Sequence, residues 1–392
     1  MRAKLGCTAV PRTVSRVLLD ATAVPRDRGG VGRYVDNLIP ALVRGGLSIE
    51  VACLARDAEI FAGMGAEPLV ARAADRGRAG RLLWEQTGLP VLARRRRPDV
   101  LHCPHYTQPA RHAVATAVTL HDATFFTAPG LHGRVKGPFF RSATRLAVRR
   151  ADAAVVPSQA TADELVRVAR ADPRRLHVAH HGVDPAVFAP PAAADAALAR
   201  RTLGLDQDRP YVAFLGTLEP RKNLSALVRG FAIAVAGRAD RPVLVLAGGR
   251  GWDDGLADAI ADLPLGVEVL QPGYLPIEQI AGYLGGAAVV AYPSLGEGFG
   301  LPVLEAMACG AAVLTTRRLA LPEVGGDAVA YCDVDDASIG RALRELLEDP
   351  AACAKLGAAA LARASMFTWD ACASAHVTAY EAAAGRWDTR RR

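Results

Sequence analysis

Short apolar, β-branched runs alternate with longer amphipathic stretches along this chain, and the whole alternation occurs twice. A brief apolar run closed off by turn residues reads as a strand buried on both faces, the kind that forms a parallel sheet flanked by helices. In the first half the runs are RVLLDA (16–21), SIEVACLA (48–55), DVLHCP (99–104), AVTLHD (117–122) and AAVVPS (153–158). Residues 181–197, HGVDPAVFAPPAAADAA, then lose strand character and become rich in proline and alanine, as an interdomain linker does. A second series follows: YVAFLGT (211–217), PVLVLAG (242–248), VEVLQPG (267–273), AAVVAYP (287–293), AAVLTT (311–316) and AVAYCD (328–333). The pattern predicts an α/β protein of two parallel-sheet domains, residues 1–185 and 186–366, and 392 residues is an ordinary length for two. FTWDACASAHVTAYEAAA (367–384) has amphipathic helical spacing, so residues 367–392 are read as a last helix crossing the domain seam, with a basic tail.

Ligands of open α/β sheets bind beyond the carboxyl ends of the strands. After the AAVVAYP strand comes PSLGEGFGLPVLEAMACG (293–310), which sets Glu297 eight residues ahead of Glu305. Gly298, Gly300 and Pro302 forbid one continuous helix between the two acids, while Pro302 suits a first helical position and Gly310 a stop. Glu297 is therefore expected on the loop and Glu305 in the first turn of a helix. Two carboxylates so placed can each accept a pair of hydroxyls, and the glycines leave backbone N–H groups for a phosphate. The loop after YVAFLGT carries EPRKN (219–223), whose Arg221 and Lys222 meet the positive end of the next helix. Cations are at home at helix C-termini, so two at an N-terminus point to a bound anion. A diphosphate suits an arginine fork beside a lysine point charge.

His121 closes a strand, where a lone histidine is as readily structural as functional, and Asp122 beside it could fix its tautomer. His102, His105, His180 and His181 carry weaker claims. GGVGRY (29–34) reads as a short loop before a helix, in which Gly29, Gly30 and Gly32 let the backbone approach a ligand. It is not G-x-G-x-x-G, and no acidic residue stands in dinucleotide position, which argues against a nicotinamide cofactor. DVD (333–335) and DQD (206–208) have the D-x-D form of metal sites, but the first precedes a helix as a cap would and the second falls in a turn. Neither a metal site nor a cofactor is expected.

Several of these segments occur together in one order. PSLGEGFGLPVLEAMACG resembles the E-x7-E signature of the retaining glycosyltransferases of family 4, and EPRKN resembles their basic motif. TLHDATF (119–125) resembles their histidine loop, RGGVGRYVDNL (28–38) their amino-terminal glycine loop, and LPEVGGDAV (321–329) a late element. The resemblance spans nearly the whole chain and implies the GT-B fold, two facing Rossmann-like domains with a deep interdomain cleft. It implies that Glu305 holds ribose hydroxyls and Glu297 the donor sugar, with Gly298, Phe299, Gly300 and Leu301 lining the donor. Arg221 and Lys222 would stabilise the departing diphosphate, His121 would line the anomeric centre, and Gly30, Val31 and Gly32 would border phosphate and acceptor. No protein nucleophile is named, because the family is described as using front-face attack assisted by the leaving phosphate. Some members carry an arginine directly after the strand glycine where this chain has Thr217, which shifts phosphate neutralisation toward Arg221. The segment order is most similar to bacterial mannosyltransferases of surface-polysaccharide assembly. GDP-mannose is thus the first expected donor, a UDP-hexose the next, and a glycan, lipid-linked or small-molecule hydroxyl the acceptor. A nucleotide-sugar 2-epimerase or a sugar phosphorylase of the same fold stays open as an alternative.

The formal net charge of +7 hides an asymmetry. Residues 1–185 hold 28 Lys and Arg against 16 Asp and Glu, leaving 19 against 24 for the rest. The positives cluster in RRRR (94–97), GRVKGPFFR (133–141) and RLAVRR (145–150), flanking Phe139 and Phe140. Such patches attract anions, and peripheral contact with an anionic membrane at its inner face is set beside the plainer reading of a solvated face. A basic nucleic-acid-binding protein is the rival from another class, but 6% aromatic residues give few stacking platforms, so no nucleic acid is expected. The seven cysteines are scattered without C-x-x-C spacing, which fits small core residues in a reducing cytoplasm. LGC (5–7) lacks the preceding apolar segment of a lipoprotein signal, and no run approaches the roughly 18 apolar residues of a spanning helix.

Overall fold

A computed structural model describes residues 13–26, 28–127, 130, 136–206, 209–240 and 242–391. LGC (5–7), two residues of DQD (Gln207 and Asp208) and the first residues of the 133–141 cluster lie outside the described residues. The chain divides into two units: Met1–Gly182 together with Trp369–Arg392, and Val183–Thr368.

Unit 1 is built on β1 (Arg16–Asp20), β2 (Ser48–Cys53), β3 (Glu67–Val70), β4 (Val100–Cys103), β5 (Ala115–Thr119), β6 (Ala153–Val156) and β7 (Leu176–Val178). They form one parallel sheet in the order β3-β2-β1-β4-β5-β6-β7. Unit 2 repeats the plan with β8 (Tyr211–Leu215), β9 (Val243–Ala247), β10 (Glu268–Gly273), β11 (Val289–Tyr292), β12 (Val313–Thr316) and β13 (Ala330–Cys332). Their parallel order is β10-β9-β8-β11-β12-β13. Every residue of β5, β8, β9 and β11 is buried, which is why these strands read as unbroken apolar runs rather than alternating ones. In each sheet the order reverses beside the first strand, between β1 and β4 and between β8 and β11. Val212 pairs with Val289, so the loops fed by β8 and β11 emerge side by side at the carboxyl edge.

The strands read from apolar runs are all present. The reading missed β3 and β7, short edge strands of four and three residues with partly exposed side chains. GGVGRY is not a loop: the helix Gly29–Arg44 already includes it, entered from Arg28 at φ 60 and Gly29 at φ 48. Glycine tolerates that left-handed entry, and Gly30 and Gly32 then continue as helix. The helix Gln159–Ala169 is capped by Ser158, whose hydroxyl accepts from the Thr161 N–H. Part of the Pro/Ala-rich stretch is helical, Ala193–Thr202. The helix Trp369–Arg391 packs on the helix Gly29–Arg44 and on β4, β5, β6 and β7, and belongs to unit 1. Among the described residues no helix is long and apolar enough to cross a membrane, and the six cysteines described are free thiols.

Candidate functional site

The carboxyl edge of β8 and β11 in unit 2 gathers the strongest sequence candidates. After β8 the chain makes a single tight turn, Pro220–Lys222, and Asn223 at φ 61 leads into the helix Leu224–Val235. After β11 the loop crosses beside that turn, where the Leu295 N–H donates to the Arg221 carbonyl at 2.9 Å and the Ser294 hydroxyl oxygen lies 3.0 Å from the same carbonyl. These bonds fix Arg221, Lys222 and Glu297 together. Lys222 Nζ donates to Glu297 Oε1 at 2.6 Å and also bonds the Tyr292 hydroxyl, while Arg221 Nη1 pairs with Glu297 Oε2. Ser294 Oγ and the Tyr292 hydroxyl donate to the same Oε1 at 2.8 and 3.1 Å. On the other side Arg221 Nη2 donates to Glu219 Oε1 at 2.7 Å.

Lys222 and Glu297 are each only 7% exposed, which gives these charges their weight. Burial alone would raise the Glu297 pKa, but Arg221 and Lys222 outweigh it and bring the carboxyl down to about 2. Burial and the neighbouring Arg221 pull Lys222 below its ordinary value, with Glu297 opposing them. The cluster is therefore a carboxylate clamping two cations, and Oε1, with three donors already, is the more committed of its two oxygens.

The helix Leu301–Ala308 follows the loop. Gly300 is its N-cap at φ 106, where a Cβ would also come 2.9 Å from Leu321 Cδ2, so both backbone and space call for glycine. Glu305 is the fifth residue of this helix, one turn deeper than expected, and 2% exposed. Phe299 is core, edge-on to Phe367 at 5.9 Å, leaving its backbone rather than its ring for any ligand, whereas Leu301 is half-buried at the helix start. Gly298 lies in the same buried loop.

In unit 1, His121 follows β5 and its Nε2 donates to the Pro104 carbonyl at 2.7 Å. That carbonyl, not Asp122, fixes the tautomer. Asp122 Oδ1 accepts from the Thr124 N–H and hydroxyl instead, shaping the next turn. Burial lowers the His121 pKa, so the ring is neutral and its Nδ1 is the acceptor. In the helix Gly29–Arg44, Gly30 and Val31 are at the first turn, open on the Gly30 side. A Cβ on Gly32 would meet Arg28 Cβ at 2.8 Å, because the Arg28 side chain lies along that turn to pair with Asp36 and Asp57.

The basic clusters are partly spent on structure. Arg96 pairs with Glu50 and Glu67, while Arg94, Arg95 and Arg97 stay exposed. Phe140 stacks on Phe125 at 4.7 Å, so only Phe139 of that pair faces out, 41% exposed. Asp335 of DVD caps the helix Asp336–Glu348 by accepting from the Ser338 N–H. Among the described residues no three His, Cys, Asp or Glu side chains converge as a metal would need. Sequence reading missed Tyr292 and Ser294, whose bonds to Lys222 and to the Arg221 carbonyl depend on β11 lying beside β8, and Glu219, which pairs with Arg221 two residues on. The only hint was that Tyr292 and Ser294 flank the Pro293 at which β11 ends.

Comparison with known proteins follows the same division. The model described as Glycosyltransferase Family 4 matches residues 28–187, and that for glycosyl transferases group 1 matches residues 195–363. D-inositol 3-phosphate glycosyltransferase of Kineococcus radiotolerans is 30% identical over an alignment of 411 residues, covering 91% of each chain. O-antigen chain mannosyltransferase B of Escherichia coli is 28% identical over 285 residues, 72% of this chain and 74% of that one. Other D-inositol 3-phosphate glycosyltransferases, 32–36% identical, align over 53–58% of their length. The solved structure of Anabaena HepE in complex with UDP-glucose has a TM-score of 0.73 at 18% identity, covering 93% of this chain and 98% of that one. The chain belongs to the family 4 glycosyltransferases and has their GT-B class of fold, two parallel-sheet α/β units.

Proposed function

We propose that this protein transfers a hexose from a nucleotide-sugar to an acceptor hydroxyl with retention of anomeric configuration. The observation that carries this reading is the Arg221, Lys222 and Glu297 cluster, buried at the carboxyl edge of β8 and β11. A leaving diphosphate gains negative charge in the transition state, and preorganised cations in a buried site stabilise that charge more than water can. Glu297 holds both cations in place and turns its less committed Oε2 toward the donor sugar. Glu305 accepts from the ribose hydroxyls, and the loop from Gly298 to Leu301 lines the donor. His121, neutral, offers Nδ1 beside the anomeric centre, and the turn at Gly30, Val31 and Gly32 borders phosphate and acceptor. No side chain is assigned as nucleophile; the leaving phosphate takes the acceptor proton. Arg221 and Lys222 fill the electrostatic role that a divalent metal fills elsewhere, so no cofactor is invoked.

GDP-mannose is the first donor proposed, supported by the likeness to the Escherichia coli O-antigen mannosyltransferase. A UDP-hexose is second, supported by the likeness to a chain solved with UDP-glucose. The acceptor is a glycan, a lipid-linked glycan or a small polyol, and Arg94, Arg95 and Arg97 supply peripheral contact with an anionic membrane. The test is thermal stabilisation of wild type and Glu305→Ala by GDP, UDP and ADP. One nucleoside diphosphate is expected to stabilise the wild type selectively and the variant not at all. No stabilisation of the wild type by any of the three counts against the reading.

A further inference from the structure

Behind His121 the interior of unit 1 holds a run of hydrogen bonds that the proposed chemistry does not use. His376 Nδ1 lies 2.7 Å from the Cys372 carbonyl oxygen, which can only accept, so Nδ1 carries the ring proton and donates. Burial brings the His376 pKa down to about 4, the ring is neutral, and Nε2 is a bare acceptor. The Tyr34 hydroxyl, 2.6 Å from Nε2, must donate to it. Having used its one proton, Tyr34 accepts from the Thr119 hydroxyl at 2.9 Å. Thr119 in turn accepts from His102 Nε2 at 2.8 Å. His102, also held neutral by burial, presents Nδ1 to the Tyr380 hydroxyl at 2.9 Å. One carbonyl thus orders every proton through Tyr380, His102, Thr119, Tyr34 and His376.

The run starts and ends on the same helix. Tyr380 and His376 are one turn apart on Trp369–Arg391, while His102, Thr119 and Tyr34 belong to β4, β5 and the helix Gly29–Arg44. All five side chains are at most 1% exposed. Five buried polar groups add little net stability over apolar packing, but a fully satisfied network admits a single geometry. That geometry reaches His121 twice. The Tyr34 ring meets the His121 ring edge-on, centroids 5.1 Å apart at 83°. Thr119, the last residue of β5, stands two residues before His121.

We propose that this clasp positions His121, making Tyr34 and His376 positioning residues and the helix Trp369–Arg391 a working part of the unit 1 site. The functional half of the inference rests on the role given to His121 under Proposed function. Histidine side-chain 15N NMR on the full chain tests the clasp without any substrate. His376 is expected as the Nδ1–H tautomer and His102 as the Nε2–H tautomer, with the His121 ring signals shifting in Tyr34→Phe and in His376→Asn. The opposite tautomer at either ring, or His121 signals unmoved in both variants, overturns the proposal. Activity supplies the second readout. Asparagine at 376 leaves Tyr34 no acceptor, whereas His376→Gln restores one near the place of Nε2. His376→Asn is expected to lower kcat by about 10- to 100-fold with little change in donor KM, and His376→Gln to recover most of it. Added to His121→Ala, His376→Asn is expected to cost nothing more. Additive losses, or equal losses in the Asn and Gln variants, overturn the positioning role. If the wild type transfers sugar from no nucleotide-sugar, the transferase reading falls while the NMR outcome still decides the clasp.

Discussion

Replacing Glu297 by glutamine takes one negative charge from a pocket where two cations face it, and the cost follows from the depressed acidity of that carboxyl. The gap between the ordinary 4.5 and about 2 corresponds to ~3 kcal/mol in favour of the folded, ionised state. A carboxyl lowered on folding contributes fully above the unfolded pKa and loses that contribution as pH falls through the folded one. Glutamine cannot ionise, so wild type should exceed Glu297→Gln by ~3 kcal/mol at pH 7, by about 1.4 kcal/mol at pH 3, and hardly at all below pH 2. The basic side behaves in the opposite sense. With Glu297 neutralised, burial and Arg221 depress Lys222 against Glu219 alone. A lysine lowered on folding penalises the folded state until pH rises past its folded pKa, so the gap also narrows above neutrality. Urea unfolding of both proteins at pH 3, 5, 7 and 9 measures the profile. A gap that is flat with pH, or under ~1 kcal/mol at pH 7, refutes an ionised clamp.

Arg221→Ala and Lys222→Met are each expected to lower kcat about 10²- to 10³-fold, read from initial rates with the donor that stabilises the wild type. Transfer should persist in excess EDTA; abolition there, restored by a divalent ion, would remove the electrostatic role assigned to those two cations. Gly300→Ala puts a Cβ 2.9 Å from Leu321 Cδ2 at φ 106 and should cost about 1–3 kcal/mol, seen as a lower Tm. His376 is lowered on folding to about 4 from an ordinary 6.5, so the unfolded chain binds that proton first. Stability is then whole above about pH 6.5 and drains as pH falls toward 4, and His376→Gln should flatten that slope in a pH series of unfolding curves.

The parallel strands were legible because burial on both faces leaves a local trace, an unbroken apolar run between turn residues. The edge strands of unit 1 were not, since Glu67–Val70 holds a proline and Leu176–Val178 is three residues long, none of either strand is fully buried, and neither carries such a run, whereas the unit 2 edges Glu268–Gly273 and Ala330–Cys332 were read. Glu297, Arg221 and Lys222 could be found as residue types in the right loops. Their mutual grip could not, because it depends on β8 and β11 being adjacent although some 75 residues separate the loops. The glycines at 29–32 were misread for a related reason. Glycine signals freedom, and here the freedom serves entry into a helix and room for the Arg28 side chain rather than an open loop. His376 left no signal, as an amphipathic helix with a buried histidine looks like any other until its partners are known.

Unit 1 is discontinuous in sequence, interrupted by all of Val183–Thr368 before Trp369–Arg392 completes it. On the ribosome, therefore, the sheet of unit 1 emerges early but must wait for the whole of unit 2 before Tyr380 and His376 arrive to engage His102 and Tyr34. The unit encoded second is the first that can finish folding. A fragment ending at residue 182 would carry the complete sheet of unit 1 yet expose the apolar floor on which the helix rests, and should be found with chaperones or in aggregates rather than as a free domain.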